Sequence, residues 1–348
     1  SHMRYPVTIF LFVLLFQPGL KIWSQESIHS NDNQQFKILF YNVENLFDTT
    51  DDSLTRDNEF LPDGSYHWTD YRFRKKINHI CKVITAAGEW HVPDVIGLAE
   101  IENRYVLKKL VDDTTLSKFN YEIVHENSPD RRGIDVALLY RKDNFKLIDY
   151  TCHQIIFPRD KDLKTRDLLY VSGVSDGDTL HFFFNHWPSR WGGTAASEHK
   201  RLHVASVLKN LVDSLQSVHE HPNIIISGDF NDDPDNKSIT TILKAKHVTK
   251  NMHHHQLYNL SISPCRKELG TLKYRDDWNC FDQIIVSGTL LDDTGWKVHE
   301  GQMQIFKSDF LLMEDDRYGG KKLFRTYLGR KYLGGYSDHL PVLLTLTK

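Results

Sequence analysis

The sequence contains a series of short, strongly apolar segments, each of which stops at, or starts just after, a residue with acid, base or ligating chemistry. Apolar runs of this length predict buried strands. A polar residue at a strand end projects into a cleft, although a single one is more often a turn or helix cap. Because the pattern recurs, we interpret these residues as one site: Asn42 after FKILFY, Glu100 after VIGLA, His186 after LHFFFN, Asp229 and Asn231 after NIIISG, Asp282 before IIVS, and Asp338 and His339 before PVLLTL.

Strand-like and helix-like segments alternate from residue 36 onward. Apolar residues at helical spacing predict helices over 71–87, capped by Asp70, and over 195–217. Consecutive strand-like segments without intervening helices favour antiparallel pairing. We therefore expect an α/β fold in which two mixed sheets pack face to face with helices outside. The predicted strands are 36–41, 95–99, 121–125, 134–140, 145–156, 168–174, 180–185, 224–227, 281–286 and 341–346, and the predicted loops are 48–70, 250–280 and 307–335.

The N-terminus has the layout of a secretory signal. Ser1-His2 is typical of an expression scar, Arg4 is positive, and the apolar run 7–16 is too short for a membrane span. A buried N-terminal strand or helix is the alternative. We expect a scar and signal peptide over 1–25, a linker over 26–35 and one catalytic domain over 36–348, exported to a periplasm or the cell exterior without a stable membrane anchor.

Four cysteines bear on that compartment. An even number permits disulfides in an oxidising compartment, with Cys265 and Cys280 as a possible pair. Cys81 lies on an apolar helix face, where a buried free thiol explains it. No C-x-x-C spacing occurs, so a zinc–cysteine site is not favoured.

The strand-end residues suit chemistry at phosphorus. Asn42, Glu100 and Asp338 offer hard oxygen ligands, and Mg²⁺ needs only one or two carboxylates because it keeps several waters. Zinc would prefer more His or Cys. We expect Mg²⁺, with Mn²⁺ or Ca²⁺ as possible substitutes, to neutralise charge on a phosphate.

The other strand-end residues then take acid–base and binding roles. Asp229 would orient or deprotonate a water, and Asn231 would donate to that water or to a phosphate oxygen. His339 would contact the phosphate, with Asp282 fixing its tautomer, and His186 supplies a second imidazole.

The order of six motifs resembles the endonuclease/exonuclease/phosphatase family, over about residues 36–347. The motifs are Tyr41-Asn42-Val43-Glu44, Leu98-Ala99-Glu100, Asn185-His186, Gly228-Asp229-Phe230-Asn231, Phe281-Asp282 and Ser337-Asp338-His339-Leu340-Pro341. The resemblance implies a four-layer α/β/β/α sandwich, like that of pancreatic deoxyribonuclease, with a Mg²⁺-assisted site at one edge.

The same resemblance implies individual roles. Asn42, Glu100 and Asp338 are implied on the metal side. Asp229 and Asn231 are implied as the water-activating and phosphate-binding pair, and Asp282 and His339 as an Asp–His dyad. Glu44 lies where some nucleases place a metal-binding Asp, and both its role and that of Asp135 stay open, as does the number of metal ions.

Substrate-binding residues are less constrained. Arg132 and Arg190 suit bidentate phosphate contact, with surface solvation as the equal alternative. Tyr274 and Trp278 lie in a basic segment and suit stacking on a base or sugar, although Trp278 suits the core as well.

We expect a divalent-metal-dependent phosphoesterase that cleaves phosphodiester bonds, in the first place a nuclease on DNA or RNA, with no obligate protein partner. The formal net charge of −3 argues against non-specific nucleic-acid coating but permits a local basic groove. The alternative is a phosphatase or phosphodiesterase acting on a lipid, inositol phosphate or nucleotide. A binding module without activity ranks last, and the absence of a Gly-x-Ser-x-Gly motif disfavours a serine hydrolase.

Overall fold

The computed structural model describes residues 34–267 and 270–348. The predicted signal peptide and residues 26–33 of the predicted linker lie outside the described residues. In the part of the chain that is described, none of the helices has both the length and the apolar character to cross a membrane.

Nineteen strands and four α-helices are found in the described residues. The helices are α1 (Asp70–Gly88), α2 (Arg104–Asp112), α3 (Thr194–Val218) and α4 (Ile262–Lys267). The strands are β1 (Gln35–Leu46), β2 (Val95–Ile101), β3 (Tyr121–Val124), β4 (Asp135–Arg141), β5 (Lys146–His153), β6 (Leu168–Ser175), β7 (Asp178–His186), β8 (Asn223–Asp229), β9 (Leu257–Asn259), β10 (Leu272–Tyr274), β11 (Asp277–Asn279), β12 (Asp282–Ser287), β13 (Lys297–Val298), β14 (Gln304–Ile305), β15 (Leu312–Glu314), β16 (Lys321–Leu323), β17 (Tyr327–Leu328), β18 (Lys331–Tyr332) and β19 (Val342–Thr347).

Two mixed sheets form the centre of the fold, as predicted. Sheet A has the order β13-β19-β1-β2-β4-β3, with β14 also on β19, and sheet B has the order β5-β6-β7-β8-β12-β9. Each sheet contains one parallel pair, β1–β2 in sheet A and β7–β8 in sheet B, and the other pairs are antiparallel. Three short hairpins, β10–β11, β15–β16 and β17–β18, lie in the segments that were predicted as loops.

The alternation of side chains along β7 explains the layering. Successive residues of a strand point to opposite faces. Phe182 and Phe184 join the core cluster shared with sheet A and α1, whereas Phe183 joins a second cluster with Val204 and Leu208 of α3. Helices therefore cover the outer face of each sheet, and the predicted four-layer α/β/β/α sandwich is confirmed.

The two sheets approach closely at Gly97 of β2. A Cβ atom at this position would lie 2.3 Å from the ring of Phe184 in sheet B, so only glycine fits without displacing that ring. The separation of the sheets is therefore set by direct packing of backbone on an aromatic side chain.

The helix predictions need two corrections. Thr69, not Asp70, caps α1, because its hydroxyl accepts the Arg72 N–H at 3.5 Å, while Asp70 is the first helical residue and pairs with Arg74. Helix α2 was not predicted, since nine residues give few repeats of an apolar pattern. Its signal is Asn103, whose side chain caps the helix by accepting the Val106 N–H at 3.1 Å.

The cysteines are placed as the sequence permits. Cys265 of α4 and Cys280 form a disulfide, and Cys81 is a buried free thiol. The bridge lies two residues before Asp282, so it ties α4 to the start of β12.

Candidate active site

The strand-end residues meet at one edge of the sandwich for a topological reason. The carboxyl ends of the parallel strands β1 and β2 lie at that edge of sheet A, and those of β7 and β8 lie at the same edge of sheet B. Strands β12 and β19 run antiparallel to their neighbours β8 and β1, so their amino ends come to this edge. Asp282 consequently pairs with Asp229 across the ladder, and His186 pairs with Asp229 on its other side.

His339 and Asp282 form a buried dyad. The His339 Nδ1 atom lies 2.7 Å from Asp282 Oδ2, and the His339 Nε2 atom lies 3.7 Å from Asp229 Oδ2. Burial alone would lower the pKa of His339, but the Asp282 and Asp229 carboxylates outweigh it and hold that pKa well above its usual value. The imidazole is therefore cationic and presents a positive Nε2–H at the centre of the site.

Asp229 is held by hydrogen bonds on both oxygens. Its Oδ1 accepts the Asn231 N–H at 3.0 Å, and its Oδ2 accepts the Asn42 amide N–H at 3.1 Å. Burial raises the pKa of Asp229 to about 6, even though His339 favours the charged form. A carboxylate with a pKa in this range suits proton acceptance near neutral pH.

His186 lies on the opposite side of Asp229 from the dyad. Its Nε2 atom is 3.5 Å from Asp229 Oδ2 and 3.9 Å from Glu100 Oε1. Its Nδ1 atom is buried and has no hydrogen-bond partner among the residues that the structure describes. Burial, aided by the nearby Arg166 and Arg132, lowers the pKa of His186 well below its usual value. The site thus combines a cationic His339 with a neutral His186.

Asn42 and Glu100 lie together, as their assignment to one side of the site requires. The Asn42 amide nitrogen lies 3.4 Å from Glu100 Oε1, and Glu100 Oε2 accepts the Asn45 N–H at 2.8 Å. The Asn42 side-chain oxygen accepts the Glu44 N–H at 3.0 Å. Asn42 therefore orients the Glu100 and Asp229 carboxylates with its amide group, while its oxygen is engaged with the backbone.

Glu100 is the best-placed metal ligand. Within residues 34–267 and 270–348, no three His, Cys, Asp or Glu side chains converge in the manner of a multi-residue metal site. Mg²⁺ does not require one, because it keeps its waters and uses one or two carboxylates. The Glu100 side chain is 14% exposed, with a hard oxygen at the rim of the cleft, and it fits such an ion.

Four non-glycine residues around the cleft have left-handed backbone conformations. They are Glu44, Asn45, Glu100 and Asn231, with φ values of 56°, 52°, 64° and 49°. Such conformations cost on the order of 1 kcal/mol each and tend to occur at functional sites, where surrounding structure enforces them. Here they aim side chains near the carboxyl ends of β1 and β2 and just after β8.

Glu44 and Asp338 are bridged by a residue that the sequence did not indicate, Arg325. The Arg325 Nε atom lies 3.0 Å from Glu44 Oε1, and one terminal nitrogen lies 2.8 Å from Asp338 Oδ2. Lys76 of α1 is buried beside them and donates to Thr326 Oγ1 and to the Tyr336 carbonyl. Burial lowers the pKa of Lys76 to about 8. The signal for Lys76 was its position on the apolar face of α1; Arg325, in a segment predicted as loop, had none.

Arg190 and Asn231 are locked into the turn after β8. The Arg190 guanidinium donates to the Asn231 carbonyl at 2.8 Å and to side-chain oxygens of Asp232, Asp233 and Asn236, and it lies over the Phe281 ring. Asn231 donates its amide N–H to the Trp187 carbonyl at 3.0 Å. The structure thus places Arg190 as a brace of this turn, and phosphate binding by Arg190 stays a prediction.

Arg132 lies at a basic pocket beside His186. The pocket has a volume of about 380 Å³ and is lined by Arg132, Lys164, Arg166 and Lys200 together with Trp191, whose side chain is 90% exposed. Among the residues that the structure describes, none of those lining the pocket is acidic. Arg166, which the sequence did not single out, is buried, donates to Asp130 and to the Trp187 carbonyl, and has its Nε atom without a partner in the described residues.

The remaining candidates make no hydrogen bond to Asp229 within the described residues. Tyr274 is 63% exposed on the β10–β11 hairpin, and Trp278 of the same hairpin is half-buried against the core. Asp135 bonds His125 and the Ser128 N–H instead of any strand-end residue. For Asp135, whose role the sequence left open, these contacts therefore favour a structural role.

Comparison with known proteins supplies independent context. Residues 37–348 match the model of the Endonuclease/Exonuclease/phosphatase family. No curated protein sequence matches the chain significantly. Solved structures with a similar fold include a protein of that family from Bacteroides thetaiotaomicron, with 16% identity, coverage of 90% of this chain and 98% of that chain, and a TM-score of 0.55.

Two further similar structures carry functional descriptions of their own. One is D. rerio TDP2 complexed with single-strand DNA product, with 13% identity, coverage of 91% and 100%, and a TM-score of 0.54. The other is the Bacteroides thetaiotaomicron VPI-5482 mannosyl-6-phosphatase Bt3783, with 16% identity, coverage of 89% and 99%, and a TM-score of 0.54. At these identities the likeness concerns the fold alone.

Proposed function

Since the chain belongs to the endonuclease/exonuclease/phosphatase family of phosphoester hydrolases, we propose that it is a divalent-metal-dependent phosphodiesterase that cleaves DNA or RNA. The observation that carries the proposal is the buried Asp229 carboxylate, whose Oδ2 atom lies 3.7 Å from His339 Nε2 and 3.5 Å from His186 Nε2. A poised base and a positive donor on one cleft wall suit hydrolysis at phosphorus.

The chain's own residues divide the reaction between them. Asp229 orients a water and accepts its proton, and the Nε2–H of His339 binds a phosphate oxygen while Asp282 holds the imidazole. Asn231 fixes the turn that carries Asp229, and neutral His186 donates or accepts on the leaving-group side. Mg²⁺ at Glu100, replaceable by Mn²⁺ or Ca²⁺, would neutralise phosphate charge and stabilise the charge that develops in displacement.

The basic pocket supports a polyanionic substrate. The two lysines of the lining suit a second phosphate next to the scissile one, whereas its two arginines also pair with Asp130. The exposed Trp191 indole suits a stacked base. The similar fold of TDP2 with bound single-strand DNA product is consistent with this reading. The alternative is a phosphatase or phosphodiesterase acting on a lipid, inositol phosphate or nucleotide. The similar fold of a mannosyl-6-phosphatase is consistent with a small phosphoester as substrate.

Export is a separate part of the proposal. The apolar run 7–16 supports a signal peptide, and the Cys265–Cys280 disulfide supports folding in an oxidising compartment. Localisation of the tagged chain after cell fractionation tests it; retention of the full-length chain in the cytoplasm would contradict it.

A substrate panel with and without chelator tests the activity. We expect cleavage of single-stranded DNA, RNA or plasmid, abolished by excess chelator and restored by Mg²⁺ or Mn²⁺, because phosphate charge must be neutralised in the cleft. Inositol phosphates, sphingomyelin and nucleotides serve as the comparison set. Full activity in excess chelator would exclude metal dependence, and release of phosphate or phosphocholine with intact nucleic acids would exclude a nuclease.

If the basic pocket binds the substrate, a change in its charge should affect substrate binding and leave the chemical step unaffected. Changing Lys164 and Lys200 together to Glu is expected to raise KM for an oligonucleotide by about tenfold and to flatten the salt dependence, because two phosphate contacts are lost. The turnover of a small diester such as bis-p-nitrophenyl phosphate should stay unchanged. Lys108→Glu, on the exposed face of α2, is the matched control. An unchanged KM in the double variant would remove the pocket from the substrate path.

The pKa of Asp229 predicts the acidic limb of the activity profile. An ionised carboxylate is needed to accept a proton, so kcat/KM should rise about tenfold per pH unit up to about pH 6 and then level off. Initial rates across the pH range at saturating metal measure the limb, and Asp235→Asn, an exposed site nearby, should keep it. A profile without any rise below neutral pH would argue against Asp229 as the base.

A further inference from the structure

A group of four charged side chains lies on the sheet A side of the cleft, and we call it the Arg325 cluster: Glu44, Lys76, Arg325 and Asp338. Arg325 bridges the two carboxylates, with 3.0 Å to Glu44 Oε1 and 2.8 Å to Asp338 Oδ2. It lies between the strands β16 and β17, 281 positions after Glu44 in the sequence. A guanidinium fork is well suited to spanning two carboxylates in this way.

Both oxygens of Glu44 accept a hydrogen bond. Oε1 accepts the Arg325 Nε–H, and Oε2 accepts the Thr326 N–H at 2.7 Å. The Glu44 side chain is only 3% exposed. Because both oxygens are engaged and the side chain is buried, a divalent ion with its water shell has little access to this carboxylate, which makes Glu44 a poor ligand in the native arrangement.

The charges around Glu44 also argue against metal binding by this carboxylate. Two carboxylates in the Arg325 cluster face two cations, Arg325 and Lys76, so their charges balance without an ion. Glu100, on the rim of the same cleft, accepts hydrogen bonds from an amide group and a backbone N–H, and no Lys or Arg contacts it within the described residues. Glu100 and the neighbouring Asp229 therefore hold the excess negative charge that attracts a divalent ion.

We infer that Arg325 is a built-in cation that takes the place of a second metal ion. The site then loads one divalent ion, at Glu100, while the Glu44–Asp338 pair is a closed ion site that the guanidinium fills. The inference rests on the metal dependence proposed above. It gives Glu44 a role that the sequence left open: Glu44 positions Arg325 and does not ligate metal in the native protein.

This arrangement fixes one positive charge in the cleft at every metal concentration. The Arg325 side chain remains 37% exposed while its donors hold the two carboxylates. A fixed guanidinium next to Asp338-His339 suits a phosphate oxygen and needs no ion uptake. Arg325 is thus a positioning residue for Asp338 and a further positive group for the substrate.

Metal counting on the substrate-free protein tests the inference. Equilibrium dialysis with Mn²⁺, followed by electron paramagnetic resonance of the bound ion, should give one site in the wild type. Arg325→Ala and Arg325→Gln should each gain a second, weaker site, because the carboxylates are released. Arg325→Lys should keep a count of one. The experiment is run at pH 7.5, because burial raises the pKa of Glu44 and a lower pH would protonate the carboxylate that the second ion needs.

The controls locate the second ion and separate the two proposals. Arg330→Ala, an exposed arginine of the same segment, should leave the count at one. Adding Glu44→Gln to whichever neutral Arg325 variant folds should remove the gained site. A wild-type count of two, or an unchanged count in both neutral variants, would overturn the inference alone. A wild-type count of zero would overturn the proposed metal dependence, and the inference with it. If the counts are as expected but no nuclease activity is found, only the proposed substrate class would be overturned.

Discussion

The Asp229→Asn variant is expected to lose turnover by on the order of 10³-fold, within the range that general base catalysis supplies. Asparagine keeps the size of the side chain and the oxygen that accepts the Asn231 N–H. It removes the charge and the capacity to take a proton from water. The loss should therefore appear in kcat, with KM for an oligonucleotide little changed, since phosphate binding by His339 and the basic pocket remains.

The matched control is Asp235→Asn, which makes the same chemical change at an exposed position six residues further along. Initial rates on one defined oligonucleotide, together with circular dichroism and thermal melts of both variants, separate catalysis from folding. A wild-type rate in Asp229→Asn would exclude Asp229 as the water-activating group. A large loss in both variants would show that the assay reports damage to the turn instead.

The second large effect concerns the dyad, tested as a double-mutant cycle. His339→Ala and Asp282→Ala should each lower kcat/KM by about 10²–10⁴-fold, and the double variant should be no worse than His339→Ala. The reason is the 2.7 Å contact: Asp282 acts only through the imidazole that it orients and keeps charged. Groups that act as one unit are non-additive in this way.

Independent multiplication of the two losses would contradict the dyad and assign Asp282 a separate role. His181→Ala, at a buried histidine of sheet B that lies away from the cleft edge, serves as the control for loss of an imidazole. Thermal melts of all five proteins verify that the four rates of the cycle refer to folded enzyme.

The sequence predicted the site well where local pattern carries the information. An apolar run adjoins each of Asn42, Glu100, Asp229 and His339. Such runs predict buried strands from the sequence alone. Two parallel pairs and two antiparallel partners then bring these ends to one edge. That step needs only the strand order, and the family resemblance supplied it.

The residues that were missed act through long-range contact. Arg325 meets Glu44 across 281 positions of sequence, and nothing local in its polar segment distinguishes it from a solvated arginine. For Arg190, by contrast, the sequence context suited phosphate binding, but in the structure its guanidinium donates to acceptors of the turn after β8. Helix α2 escaped because a short helix repeats its apolar pattern too few times.

Two contacts at the centre of the site each join one sheet to the other. Asn42 of sheet A bonds Asp229 of sheet B at 3.1 Å, and His339, at the entrance to sheet A, bonds Asp282 of sheet B at 2.7 Å. A slip of one sheet past the other by a single residue, about 3.3 Å, would part both pairs while leaving every strand ladder intact. Turnover therefore depends on the alignment of the two sheets. On mild heating or in low denaturant, we expect catalytic activity to be lost while the far-ultraviolet circular dichroism spectrum is still that of the folded protein.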